Sequence, residues 1–350
     1  MRRLLALGLY VSLSCAGFGQ EVRDRPVVEE KVREKQIATF LKTGDYNGAE
    51  RTLRAGLTDE SLDPASAASL QVALGDLLRE EGKDAEAREL FIVALKNPKI
   101  GWTQRLSATM GLAGLDGQHI SVQAGLEEWM RAIAIAREHR AEDATKEADA
   151  LRGLANMWLD SGDPSSAEPL LRRARKILEG DPVAKPWQLA ATLGMTGQVY
   201  RMQNKLALAE DAWSHALELY RKMFGESHPQ TGLAMERLAE IYAQRKQAGL
   251  ARQFADRALD IMRSSCGEGS LAVAAALANR GLVKEYTNAL PAAAEDYAAA
   301  LTIARKYPSN PAFTMHIMQN YTPVLKAIHH DQEAKALTLE LKEFHQQNLR

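Results

Sequence analysis

The chain has 350 residues, 46% of them apolar and 25% charged, which is enough apolar content for an ordinary hydrophobic core. Its formal charge is −1 and its pI is near 6.7, so no basic surplus is present to drive nucleic-acid binding. Alanine and leucine dominate, aromatic residues make up only 6%, and β-branched runs are scarce, a composition that favours helix.

The first twenty residues, MRRLLALGLYVSLSCAGFGQ, have the three parts of a secretory signal. Arg2 and Arg3 form a basic start, Leu4 to Leu13 a short apolar stretch, and Ser14, Ala16, Gly17 and Gly19 a small-residue cleavage zone. The apolar stretch is too short to span a bilayer comfortably. Cleavage after Ala16 and cleavage after Gly19 both satisfy the small-x-small rule. Residues 1–20 are therefore expected to direct export to the periplasm or the exterior, with lipid anchoring through Cys15 as the minor alternative. Were Cys15 removed with the leader, Cys266 would be the only cysteine left and no internal disulfide would form.

A charged lead, EVRDRPVVEEKVREK, opens into a ladder of small and large residues. Its first rungs are Ile37, Phe40, Ala49 and Leu53. Thirty-eight residues on come Gly75, Leu78, Ala87, Phe91 and Ala94, and then Ala113, Gly125, Trp129 and Ala132. From there the step is 42: Ala155, Trp158, Ala167, Leu171 and Ala174, then Gly197, Tyr200, Ala209, Trp213 and Ala216. The same order returns as Ala239, Tyr242, Ala251, Ala255 and Ala258, and as Gly281, Ala293, Tyr297 and Ala300. A final, looser copy takes Thr322, Leu325 and Ala334, with Leu337 and Leu341 as an apolar stripe. Fixed spacing of this kind marks a repeat architecture. The expected divisions are repeats of period about 38 over 21–141, repeats of period 42 over 142–308, and a degenerate repeat with a capping helix over 309–350.

Two antiparallel helices per repeat must approach to about 8–10 Å. Small residues at Gly75 and Ala87, Ala155 and Ala167, Gly197 and Ala209, Ala239 and Ala251, and Gly281 and Ala293 let the backbones close, and the large rungs fill the space beside them. Each repeat alone leaves an apolar face, so stacking supplies the stability. Turn residues fall between the +3 and +12 positions counted from the first small residue of a repeat: Gly44-Asp45, Glu81-Gly82, Ser161-Gly162-Asp163-Pro164, Gln203-Asn204 and Asn288. The segment FGESHP at 224–229 is a junction between repeats, because Phe224-Gly225 aligns with Cys266-Gly267 while His228 aligns with Ser270.

The residues that carry this ladder resemble the tetratricopeptide repeat, over roughly residues 27–345. The 42-residue step and the G-x-x-H-P seam look most like its kinesin-light-chain subgroup. The resemblance implies an all-α fold: a right-handed superhelical α-solenoid of antiparallel helix pairs, about seven to eight repeats. It also implies a concave groove lined by the first helix of each repeat. By register that groove takes Asp149, Arg152, Asn156, Gln198, Arg201, Met202, Glu236, Glu240, Gln244, Ala278, Glu285 and Tyr286. The asparagine ladder of the kinesin-like motif N-N-L-A is mostly missing. Its counterparts are Gly194-Met195, Glu236-Arg237 and Ala278-Asn279. No converging lysines and asparagines form the carboxylate clamp of the chaperone co-factors.

Chemistry-bearing motifs are scarce. There is no HExxH, GxSxG, P-loop or GxGxxG. His329-His330-Asp331-Gln332-Glu333 reads as a polar turn, and Glu80-Glu81 and Glu127-Glu128 as solvated carboxylates. Trp129, Trp158 and Trp213 occupy ladder positions, whereas Trp102 and Trp187 stand near helix starts and are freer to make contacts. The expectation is a non-catalytic scaffold of the cell envelope or exterior that binds a peptide or partner protein in its groove. No cofactor, metal, nucleic acid or mature membrane span is expected, and self-association is open. The competing readings are the helical superstructure of an enzyme and a self-assembling structural array.

Overall fold

A computed structural model of the chain describes residues 46–59, 62–182, 184–307 and 310–347. The leader with Cys15, the rungs Ile37 and Phe40, and the turn Gly44-Asp45 lie outside these residues. Among the described residues there are fifteen α-helices and no strand, so the chain is all-α, a solenoid of helix pairs. It forms two compact units that meet in sequence at Ala184 and Lys185. The first contains α1 (Tyr46–Leu57), α2 (Pro64–Glu80), α3 (Asp84–Lys96), α4 (Trp102–His119), α5 (Val122–Glu138), α6 (Thr145–Asp160) and α7 (Pro164–Gly180). The second contains α8 (Pro186–Met202), α9 (Leu206–Phe224), α10 (Pro229–Gln244), α11 (Ala248–Cys266), α12 (Leu271–Tyr286), α13 (Leu290–Ala304), α14 (Pro311–Ala327) and α15 (Asp331–Gln347).

Several helix starts carry side-chain caps that satisfy free backbone N–H groups. Asp63 accepts from Ala65 and Ser66, and Asp163 from Ser165 and Ser166; Pro64 and Pro164 follow at the first helical position. In the second unit, Ser270 and Asn310 accept from Val273 and Phe313. His228 caps α10, its Nδ1 accepting from the Gln230 N–H at 3.2 Å, and its ring stacks on Phe224 at 4.3 Å. The seam is closed by Thr231, whose hydroxyl donates to the Gly225 carbonyl at 2.8 Å. Gly225 and Gly267 end their helices at φ +87 and +82, which a side chain would resist.

The turn inside each repeat is equally regular. Gly82, Gly162, Asn204, Lys246, Asn288 and His329 all have positive φ, and from Gly162 to Asn288 they recur every 42 residues. The residue after each donates its N–H to the carbonyl five residues back, at Leu78, Trp158, Tyr200, Tyr242, Lys284 and Leu325, over 2.8–2.9 Å. That bond closes a Schellman-type end and fixes the reversal. The α4–α5 turn keeps the same bond, Ser121 to Asp116, with Ile120 at negative φ.

Inside the pairs, the aromatic rung works as a wedge. A β-carbon at Gly75 would lie 2.6 Å from the Phe91 ring, and one at Gly111, in the next repeat, 2.5 Å from the same ring. Phe91 thus fills a slot that two glycines open. Trp213 fills the slot at Gly194 and Gly197, Trp129 the one at Gly153, and Tyr297 the one at Gly281. Gly125 approaches Gly117 backbone against backbone: its β-carbon would lie 2.6 Å from the Gly117 Cα. All ten small ladder residues, Gly75, Ala87, Ala155, Ala167, Gly197, Ala209, Ala239, Ala251, Gly281 and Ala293, are buried. Ala334, Leu337 and Leu325 seat α15 on α14, leaving Leu339 exposed.

Candidate interaction face of the first helices

The first helices of successive repeats lie beside one another within each unit: α2 with α4 and α4 with α6, then α10 with α12 and α12 with α14. Their shared register brings side chains 39 and 43 residues apart within reach. In the second unit this produces a polar network. Arg201 on α8 donates from Nη1 to Glu240 Oε1 on α10 at 2.9 Å, and from Nε to Gln198 Oε1 at 3.2 Å. Glu240 also faces Arg237 Nη1 at 3.6 Å through its other oxygen and accepts from Gln244 Nε2 at 3.4 Å. Asn279 on α12 donates from Nδ2 to Glu236 Oε2 at 2.8 Å. Arg201, Glu236, Arg237, Glu240 and Asn279 are all buried.

Buried charge in this number is costly unless paired and hydrogen-bonded. Glu240 meets that requirement; Glu236 meets it in part. Its Oε1 is buried and accepts no hydrogen bond. Burial pushes the Glu236 carboxyl up to about 7, against the pull of Arg237 and Asn279. Tyr286 stands at the rim, 42% exposed, with Glu240 and Arg201 in electrostatic range and its phenol pushed up chiefly by partial burial. On α14, His316 is lowered by burial and takes a hydrogen bond from Asn320 Nδ2 at 3.0 Å.

The remaining sequence-derived groove residues divide differently. Glu285 accepts from Tyr297 OH at 3.4 Å, a contact inside its own repeat. Met202 is half-buried, and Ala278 is buried in the core. In the first unit Asp149 and Arg152 pair with each other on α6 at 2.6 Å, and Asn156 donates to Asp160 Oδ2 at 3.0 Å.

Several residues of these faces escaped the sequence reading. Asp76 and Asp160, both pushed up to about 6 by burial, occupy the rungs that Gln198 and Met202 hold in their own repeat. Asn320 lies 41 residues beyond Asn279, so the asparagine position occurs twice. Register was the available signal for all three. Trp102, freer in sequence, stacks on His139 at 4.6 Å and donates to Glu142 at 2.9 Å. Of the His329–Glu333 string, His329 and His330 lie in the α14–α15 turn and Asp331, Gln332 and Glu333 open α15; no group of three metal-ligating side chains occurs among the described residues.

Two tetratricopeptide repeat profiles match the chain, one at residues 36–99 and the other at 188–264 and 231–306. Together they cover just over half of it, and the chain belongs to the tetratricopeptide repeat family. A search of curated proteins gave no significant match. Among solved structures, the chain is similar to BtubC (BKLC) from P. vanneervenii, with TM-score 0.54 and 21% identity over 63% of this chain and 89% of that one. A Rap protein complexed with Competence and Sporulation Factor gives TM-score 0.64 and 11% identity over 93% and 89%. NprR in complex with its cognate peptide NprX gives 0.60 and 14% over 90% of each. At these identities the likeness is one of fold.

Proposed function

We propose that this protein is a non-catalytic interaction scaffold whose first-helix face holds an extended peptide or a peptide-like segment of a partner protein. The observation that carries the reading is the cross-linked polar face of the second unit. Gln198, Arg201, Glu240 and Gln244 come from two successive repeats and are held in fixed relation by hydrogen bonds and an ion pair, with the exposed Tyr286 of the next repeat in electrostatic range of Arg201 and Glu240. Prearranged polar groups beside an exposed aromatic suit a peptide, whose backbone offers a donor and an acceptor at every residue. The same fold carries a peptide in NprR and Competence and Sporulation Factor in the Rap protein, which supports the reading by analogy of fold. The leader-like first twenty residues support export to the envelope or exterior as the place where it works, and the 42-residue step supports the kinesin-light-chain-like subgroup. No helix among the described residues is long and apolar enough to cross a membrane.

The test is crosslinking with co-purification from an envelope fraction, comparing the native chain with Gln198→Ala/Tyr286→Ala. Both residues lie at the accessible side of the network, so the fold should survive. Loss of a specific partner in the double variant is expected. Equal recovery with both proteins would place the interaction elsewhere on the molecule.

A further inference from the structure

The four buried charges of the second unit's first-helix face, Arg201, Glu236, Arg237 and Glu240, are unevenly shared. Glu240 lies within 2.9 Å of Arg201 and 3.6 Å of Arg237, so one carboxylate faces both guanidinium groups. Glu236, one turn earlier on α10, has no cation within ion-pair distance among the described residues. Its only hydrogen bond is the one Asn279 gives to Oε2, and its Oε1 is buried without a donor. The residue is 4% exposed. A carboxylate acceptor left empty in such surroundings is a standing penalty, which an incoming donor would remove.

We propose that Glu236 anchors the ligand of this face, and that the ligand is a peptide presenting a lysine or arginine side chain to Oε1. This rests on the peptide-binding reading above and specifies its chemistry. A neutral amide would fill the oxygen's lone pair but leave the carboxylate without a counter-charge. An ammonium or guanidinium supplies both, as a charge-assisted hydrogen bond. The neighbouring guanidinium groups are already turned to Glu240, so the added cation completes a second pair.

The experiment is selection of a randomised linear peptide library on the full chain, in parallel with Glu236→Gln. Titration calorimetry on one selected peptide and its lysine-to-norleucine version follows. The native chain should enrich a basic residue at one fixed position, and Glu236→Gln should lose that preference. The norleucine peptide should bind the native chain about 10- to 100-fold more weakly, with little further loss on Glu236→Gln. Enrichment of peptides with no fixed basic position, or an unchanged preference in Glu236→Gln, overturns the role of Glu236 and leaves the peptide-binding reading standing. Failure to enrich any peptide on the native chain overturns both. Should Glu236→Gln fail to fold, the norleucine comparison on the native chain decides alone.

Discussion

In the first unit, the fully buried carboxylate Glu147 sits at the start of α6, gripped by Arg137 from α5 at 2.9 Å and Arg173 from α7 at 2.5 Å. In the second, Glu236 and Glu240 sit midway along α10 and reach first helices on both sides, at Asn279 and Arg201. Glu147 thus ties a first helix to second helices, whereas Glu236 and Glu240 tie first helices to one another; the second unit adds a tie of the former kind at Asp296 on α13, paired with Arg280 of α12 at 2.6 Å. The ladder of small residues and wedges is common to both. A repeat architecture fixes the crossing inside each helix pair and leaves the outer rungs free, so buried charge can settle on either side of the stack. The turns differ in the same spirit: the residues at positive φ are Gly82 and Gly162 in the first unit but Asn204, Lys246, Asn288 and His329 in the second.

The common ladder is best broken at its wedges. Phe91→Ala and Trp213→Ala should each cost about 3–5 kcal/mol, because each ring fills a slot between glycines that nothing else can occupy. Hydrogen exchange should show protection lost in the unit carrying the change, since the stabilising contacts of a repeat are with its neighbours. Uniform loss over the whole chain would contradict the division into two units.

The charge difference is sharpened by pH. Glu236 titrates near 7 when folded and near the ordinary carboxylate value of 4.5 when unfolded, so the folded state holds a proton that the unfolded chain has released between those values. Its contribution is complete below about pH 4.5 and lost as pH rises through 7. The second unit should lose about 2–3 kcal/mol between pH 5 and 8, and Glu236→Gln should flatten that slope. Asp76 and Asp160 act in the same direction, each held near 6 against an ordinary 3.8, so the first unit's decline should centre about one pH unit lower. Urea titrations at stepped pH, read by exchange in each unit, distinguish the two.

A smaller contrast lies in the helix crossings. Gly125→Ala would drive a β-carbon into the Gly117 backbone, which cannot rotate away, and should cost about 1–3 kcal/mol. Gly281→Ala meets the Tyr297 ring at 3.2 Å and should be much milder, because gained helix propensity offsets the squeeze. Denaturation midpoints of the two variants test the order. The smallest effect expected is a gain: Lys246→Gly relieves a side chain held at φ +61 and should stabilise by about 0.5–1 kcal/mol, read as a raised midpoint. A loss there would mean that the Lys246 side chain contributes more than its backbone costs.

The regularity of spacing made the helix pairs legible before any coordinates. Gly197, Ala209 and Trp213 have to meet if helices of this length are to pack, so their order in the chain is already a statement about contact. The turn positions were legible where Gly or Asn marks them, at Gly82 and Asn204, and in the polar string that begins at His329, and hidden where Lys246 adopts the same conformation against its preference. Of the face residues, Arg201, Glu236 and Glu240 could be placed by register, but their partners could not. That Glu240 would face both arginines while Glu236 kept only Asn279 depends on how side chains of neighbouring first helices meet, which register alone does not fix. Glu285 shows the limit from the other side: its register points outward, yet Tyr297 holds it within its own repeat.

By itself the sequence determined the all-helical repeat, its period and its rungs, because periodic small and large side chains admit one way of nesting paired helices. The tertiary structure alone decided which polar side chains found partners, and left one buried oxygen of Glu236 without a donor. Local periodicity dictates packing, but the satisfaction of charge is settled only when separate helices are brought to hydrogen-bonding distance.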